Sequence, residues 1–157
     1  MDAGTVDRVI GFMPGYFANG LECCSGTGEW LYRMAEICKA VDAVEIQPEL
    51  VLTHPSFNNV SSYQMSLEDF TASDYELVVC NPPFRSYVES EKRYLFVKLA
   101  NIAIDKLAPK GILVLARHPR MKHGKGGFAQ LNERLTALGQ PLVVSGNESC
   151  DFLIYGI

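Results

Sequence analysis

No stretch of this sequence is apolar for long enough to span a bilayer, and no basic-then-apolar leader stands at Met1-Asp2-Ala3-Gly4. No membrane role is expected, and a cytoplasmic location follows as the default. Positive charge is also scarce: 14 Lys and Arg stand against 18 Asp and Glu, for a formal net charge of −4 and a pI near 5.3. Such a chain does not hold a polyanion over its whole surface, so any nucleic-acid contact must come from a local patch or a partner. The five cysteines match no zinc spacing and no disulfide framework. They read as buried free thiols in a reducing compartment, and no metal site is expected. Repeats, low-complexity tracts and Pro/Ser-rich linkers are missing as well. The 157 residues suffice for one core and are too few for two ordinary ones, so 1–157 reads as a single domain.

What is present is an alternation of apolar runs and helical patterns from end to end, the mark of an α/β domain. Strands are expected at 21–24, 41–46, 61–65, 76–80 and 112–116, followed by a final pair at 141–145 and 151–157. Helices are expected after residues 25–28, where Trp30, Leu31, Met34, Ala35, Ile37 and Cys38 share one face, then at 49–52 behind Pro48, at 91–107, and at 128–138. Pro109-Lys110-Gly111 is expected to stop the third of these. Strands of continuous apolar character belong in a parallel sheet covered on both faces. In such sheets ligands sit at the carboxyl ends of the strands.

The run 76–80 ends in Asn81-Pro82-Pro83-Phe84, which combines a carboxamide, a rigid turn and an aromatic face. The prolines fix φ and supply no N–H, so the turn is stiff and rich in carbonyl acceptors. Asn81 adds a side-chain acceptor and Phe84 a plate for a planar ring, worth about 1–3 kcal/mol for a base. An exocyclic NH₂ satisfies both acceptors. Two such hydrogen bonds localise its lone pair, so the nucleophile is created by positioning rather than by a strong base. Asn-Pro is also a common turn opener, so the neighbouring motifs have to decide.

Those motifs are a strand, a glycine turn and a helix at 21–38, an acid Glu45 at the end of the second strand, and the turn Glu68-Asp69-Phe70. The third glycine of a dinucleotide fingerprint is replaced by Leu31, which weakens a nicotinamide or flavin reading. Taken together, Leu21-Glu22-Cys23-Cys24-Ser25-Gly26-Thr27-Gly28, Val44-Glu45-Ile46-Gln47-Pro48-Glu49-Leu50, Glu68-Asp69-Phe70 and Asn81-Pro82-Pro83-Phe84 resemble the class I S-adenosylmethionine-dependent methyltransferases, and among them the amino-methyltransferases. The resemblance runs from about Leu21 to the end of the chain. It implies a Rossmann-like three-layer α-β-α sandwich with a seven-stranded, mostly parallel sheet and an antiparallel last hairpin. It implies S-adenosylmethionine as cofactor, with Glu22, Gly26 and Gly28 at its methionine part, Cys24 and Ser25 in the same cofactor-binding loop, and Glu45 on the ribose. Asp69 would accept from the adenine amino group, with Ile46 and Phe70 packed on the ring. Asn81, Pro82, Pro83 and Phe84 would be the catalytic turn, with Asn81 also bordering the cofactor.

Arg117 to Gly127 is an acid-free basic loop, either a phosphate-contacting rim carrying Arg120, Lys122 and Lys125 or a solvated loop. Arg85 is a further phosphate contact or an ion-pair partner of Glu89 or Glu91; Tyr87 is a second plate or a packing residue. Family members with this turn act on adenine N6 of DNA or RNA or on guanine N2 of RNA, and a related form acts on a protein side-chain amide. The acidic start, the Glu68-Asp69-Phe70 turn and the basic loop lean toward adenine N6. A catalytically silent subunit is the non-enzymatic alternative. The chain has no room for a separate target-recognition domain, and the turn Gly146-Asn147-Glu148-Ser149 lacks the aromatic that often closes a base clamp. Phe12, Tyr16 and Phe17 are expected to form at most a partial lid. Target recognition is therefore expected from a protein partner, from a homodimer, or from the shape of the nucleic acid.

Overall fold

Alternation along the strands sorts apolar side chains onto two faces, and helices cover both. In this computed structural model, which describes residues 3–91, 93–146 and 150–157, seven strands form one sheet: β1 (Phe17–Cys23), β2 (Cys38–Glu45), β3 (Val60–Gln64), β4 (Tyr75–Cys80), β7 (Leu107–Ala116), β8 (Leu142–Val144) and β9 (Phe152–Tyr155). Two short strands, β5 (Tyr87–Val88) and β6 (Arg93–Tyr94), form a separate ribbon. Leu77 and Val79 of β4, Ile112 and Val114 of β7, and Phe152 and Ile154 of β9 pack toward α1 (Ala3–Ile10) and α2 (Glu29–Ile37). Their neighbours Val78, Cys80, Leu113, Leu115, Leu153 and Tyr155 pack toward α4 (Leu95–Asp105) and α5 (Gly127–Ala137). The short α3 (Pro48–Val51) follows β2, with Pro48 in its first turn.

The strand order is β3-β2-β1-β4-β7-β9-β8, parallel throughout β3 to β7, with β9 antiparallel to both β7 and β8. The chain winds outward through β1, β2 and β3, then returns to place β4 on the other side of β1. The reversal between β1 and β4 is a topological switch point, where this class of sheet opens a crevice at the strand carboxyl ends. Cys23 at the end of β1 is level with Val44 and with Cys80, so the three following turns rise from a common floor.

Cys38, read as part of the first helix, instead begins β2, and three further differences from the sequence reading bear on the site. The helix expected from residue 91 begins at Leu95, because Arg93 and Tyr94 pair with Val88 and Tyr87 around a 3-10 turn at Glu89–Glu91. Edge-to-face packing of Tyr87 on Tyr94, 5.2 Å between centroids, and capture of Glu91 by Arg93 and Lys98 favour the ribbon over a first helical turn. The helix ends at Asp105, and Pro109-Lys110-Gly111 instead forms an irregularity inside β7, where the step from Tyr75 to Leu77 in β4 runs beside the longer step from Leu107 to Ile112. Among the described residues the N-terminal segment forms no lid over the strand ends: Val6 and Val9 of α1 pack with Trp30, Leu31 and Met34, and Phe17 lies buried in that same layer, while Phe12 and Tyr16 are exposed.

Candidate active site

The cleft at the switch point has a volume of about 390 Å³, within the range of small-molecule sites. Its walls come from the turn after β1 (Cys24, Gly26), the end of β2 and start of α3 (Glu45, Ile46, Gln47, Leu50), the turn after β3 (Met65 to Glu68), the turn after β4 (Asn81, Pro83), and α4 (Leu95, Leu99). The first turn is held in an unusual shape, with φ of 56° at Cys24, 54° at Gly26 and 85° at Gly28. At Gly28 a Cβ would stand 3.1 Å from both His54 Cδ2 and Leu31 Cδ1, so glycine permits both the conformation and the close approach. Cys24 adopts the same region without that freedom, a strain of about 1–3 kcal/mol that the surrounding bonds must hold.

Glu45 supplies much of that hold. Its Oε2 accepts from the Gly26 N–H at 2.8 Å and its Oε1 from the Gln47 N–H at 2.9 Å, so one buried carboxylate fixes both walls of the cleft at their junction. Each oxygen keeps a further lone-pair direction for a ligand hydroxyl. Behind the loop, His54 Nε2 donates to the Gly26 carbonyl at 2.9 Å and its Nδ1 meets Ser62 Oγ at 2.8 Å. Ser25 is buried and does not line the cleft, bonding the Val44 carbonyl through both its N–H and its hydroxyl.

Glu22 lies beneath this loop, 2% exposed, with Oε2 bonded to nothing among the described residues. Burial first, and then the charges of Glu29, Cys23 and Glu45, raise its carboxyl well above the usual carboxylate range. A buried carboxylate oxygen without a donor is costly and accommodates a cationic partner. Burial likewise raises the Cys24 thiol, so Cys24 is a neutral part of the wall rather than a nucleophile.

Beside the cleft, Pro82 is buried, Pro83 exposed, and Asn81 and Phe84 half-buried. Phe84 rests edge-on against Phe96, 5.6 Å between centroids, and against the buried His118 at 5.2 Å. A cationic rim follows. Arg85 is exposed and makes no ion pair among the described residues; Arg120, Lys122 and Lys125 are exposed; and the Arg120 guanidinium lies 4.9 Å from the Tyr94 ring. Tyr87, 45% exposed, stands edge-on to Tyr94 in the ribbon.

No family model matches the chain, and no curated protein matches it in sequence. Solved structures match it in fold. The N-methyltransferase NodS from Bradyrhizobium japonicum WM9 aligns with a TM-score of 0.69 at 16% identity, covering 98% of this chain and 92% of that one. The chain shares the fold of this methyltransferase. The same enzyme in complex with S-adenosyl-L-homocysteine gives 0.68 at 17% identity, over 98% and 84% of the two chains. A ribosomal protein L11 methylase from Lactobacillus delbrueckii subsp. bulgaricus gives 0.68 at 14%, over 97% and 74%.

Within this methyltransferase fold, Cys24, Gly26, Glu45, Ile46 and Asn81 line the cleft, and Glu22, Ser25 and Gly28 support it from beneath or behind. Asp69 and Phe70 do not line it, contrary to their expected adenine contacts. Phe70 turns inward, 5.2 Å from the Tyr63 ring and 6.4 Å from the Tyr75 ring, with Lys106 Nζ over its face and donating to its carbonyl. Asp69 is exposed, and its N–H closes the turn on the Ser66 carbonyl. Ser66, Leu67 and Glu68 form this part of the wall instead, with Glu68 held by Lys98 at 2.5 Å. Phe70 is buried at 7% exposure, and removing its ring from water favours this inward placement over presenting it to a ligand. The missing clamp aromatic expected at the last turn concerns residues 147–149, outside the described residues. Among the described residues no three His, Cys, Asp or Glu side chains could hold a metal ion, and no helix is long and apolar enough to cross a membrane.

Proposed function

We propose that this protein transfers a methyl group from S-adenosylmethionine to an exocyclic amino nitrogen, with adenine N6 of DNA or RNA as the substrate class. The observation that carries the reading is that Asn81 and Pro83 share one cleft with Gly26 and Glu45. The residues fit the cofactor in three respects. Glu22, beneath the lining residues, has one buried carboxylate oxygen without a partner that suits a cationic amino acid moiety, Glu45 keeps acceptor capacity for a ribose diol, and Ile46, Leu50, Leu67 and Leu99 give apolar walls to a purine. When bound, S-adenosylmethionine supplies an electrophilic methyl group on a positively charged sulfur.

The chain's own contribution is orientation. The Asn81 side-chain carbonyl accepts one N–H of the substrate amine and the Pro82 carbonyl the other, so its lone pair is localised and aimed. Phe84 stacks against the base. Arg85 and Arg120 contact phosphate, and Tyr87 offers a second plate on the rim, which favours a nucleic acid over a protein amide. With a net charge of −4, attraction is confined to that rim. Selection of a longer target therefore rests on a partner protein or a second copy of this chain.

Calorimetric titration with S-adenosyl-L-homocysteine tests the cofactor part, and absence of binding up to millimolar concentration refutes it. Transfer of labelled methyl to DNA, RNA and protein fractions, with N6-methyladenosine or its deoxy form as the expected product, tests the rest; label found only in protein overturns the substrate class. Replacing Arg120, Lys122 and Lys125 with Ala weakens single-strand binding and lowers its salt slope by about 0.7 for each phosphate that is no longer neutralised. Unchanged affinity at low salt removes the loop from the site.

A further inference from the structure

We infer that His118 is a positioning residue that locks the amine-holding turn to the cationic rim through one neutral imidazole. The inference rests on the reading of the Asn81 to Phe84 turn given above. His118 follows β7, is 5% exposed, and is packed among the rings of Phe84, Phe96, Phe128 and Tyr94 at centroid distances of 5.2, 5.0, 4.9 and 5.6 Å. Its Nε2 lies 2.9 Å from the Phe84 carbonyl oxygen, and its Nδ1 lies 3.1 Å from the Arg120 backbone nitrogen. A carbonyl only accepts and a backbone N–H only donates, so Nε2 carries the proton and Nδ1 offers its lone pair. Both ring nitrogens are satisfied by the neutral ring.

This arrangement answers a need of the turn. Pro82 and Pro83 carry no N–H and cannot anchor it by donating, so its outer end depends on donors from elsewhere. His118 supplies one at Phe84, the residue that stacks the base. The same ring caps the 3-10 turn Pro119–His123, whose Arg120 lies over Tyr94. A nucleotide that stacks on Phe84 while a phosphate meets Arg120 needs both parts at a fixed separation, and a single side chain sets it.

Two substitutions separate the two bonds. In His118→Asn the side-chain oxygen falls near the Nδ1 position and keeps the cap, a role asparagine fills well, but no donor reaches Phe84. In His118→Gln the amide nitrogen reaches the Nε2 position and restores that donor while removing the cap. With labelled S-adenosylmethionine and a single-stranded, adenine-bearing oligonucleotide of DNA or RNA, His118→Asn is expected to lose about 10–100-fold in kcat with S-adenosyl-L-homocysteine affinity unchanged. His118→Gln is expected to recover kcat to near the unmodified level while weakening oligonucleotide binding. A merely structural role predicts losses that follow the unfolding midpoints of both variants. Gln no better than Asn, or Asn with full kcat, overturns the inference.

A readout independent of turnover accompanies this. The ring ¹⁵N spectrum of the unmodified protein should place the proton on Nε2, and a proton on Nδ1 overturns the inference. The Phe84 carbonyl ¹³C shift should move in His118→Asn and return in His118→Gln, while protection of the Arg120 amide disappears only in the latter. If the unmodified protein methylates no oligonucleotide, the substrate proposal falls and these spectra alone decide the role of His118.

Discussion

Asn81→Ala is expected to lower methyl transfer by about 10²–10³-fold or more while leaving S-adenosyl-L-homocysteine affinity within about threefold. The change removes the only side-chain acceptor of the turn and leaves its backbone intact, since Pro82 and Pro83 still fix φ on the far side. One acceptor, the Pro82 carbonyl, remains. A single hydrogen bond neither orients the amine in the plane of its ring nor localises the lone pair, so the loss falls on kcat. Asn81 also borders the cleft, but it is one lining residue beside Gly26, Glu45, Ile46 and others, which limits the expected effect on cofactor affinity. Steady-state kinetics with labelled cofactor, beside calorimetry on the same preparation, check both halves. Wild-type turnover by the variant rules out the proposed mechanism, and loss of cofactor binding of the same size as the loss of rate would make Asn81 a cofactor residue instead.

Glu22→Gln is expected to act in opposite directions on stability and on binding. Burial raises the Glu22 carboxyl, so in the folded protein it holds its proton to higher pH than in the unfolded chain. Between the ordinary carboxylate value, about 4.3, and the raised one, the folded state binds more protons than the unfolded state, and stability falls as pH rises. The contribution is complete below that window and is lost as pH passes the raised value. Glutamine does not titrate, so the variant is expected to be more stable than the unmodified protein at neutral pH without cofactor, and flatter in its pH dependence. Bound S-adenosylmethionine should reverse the order. A charge-assisted hydrogen bond contributes about 1.5–3 kcal/mol, so the substitution should weaken binding by about 10–100-fold. Denaturant melts across pH and titrations in buffers of different ionisation enthalpy give both quantities, with proton release on binding seen only when Glu22 is present. Equal affinity of the two proteins would remove Glu22 from the cofactor's surroundings.

The parallel α/β character of the sheet was legible because β1, β2, β4 and β7 are apolar runs separated by turn residues and helical patterns, whereas the order of the strands came only with the structure. The floor of the cleft was legible for the same reason: Gly26, Glu45 and Asn81 each stand at the last residue of a strand or within three residues beyond it. What was not legible depended on side-chain direction. Phe70 follows an acid in a short turn and looks available to a ligand, yet Tyr63, Tyr75 and Lys106 draw it into the interior. The ribbon of Tyr87 and Tyr94 was hidden because residues 91–107 keep a helical pattern that its tertiary contacts override at the start. His54 and His118 were missed because a single histidine carries no spacing signal, and only the folded chain shows the partners each ring meets.

The common floor beneath the three turns separates the inheritance of position from the inheritance of chemistry. Its level is set by ladder bonds that join β1 to β2 and to β4, and those bonds do not depend on which residues occupy the turns. Exchanging Cys24, Ile46 or Pro83 alters what the cleft selects without shifting its neighbours' anchor points. A single inserted residue within β1 has the contrary effect, because a one-step slip sends Leu21 and Cys23 to the opposite face and lifts one turn away from the other two. The architecture is therefore lenient toward new substrates and severe toward changes of length, an asymmetry that deep mutational scanning with insertions can read directly.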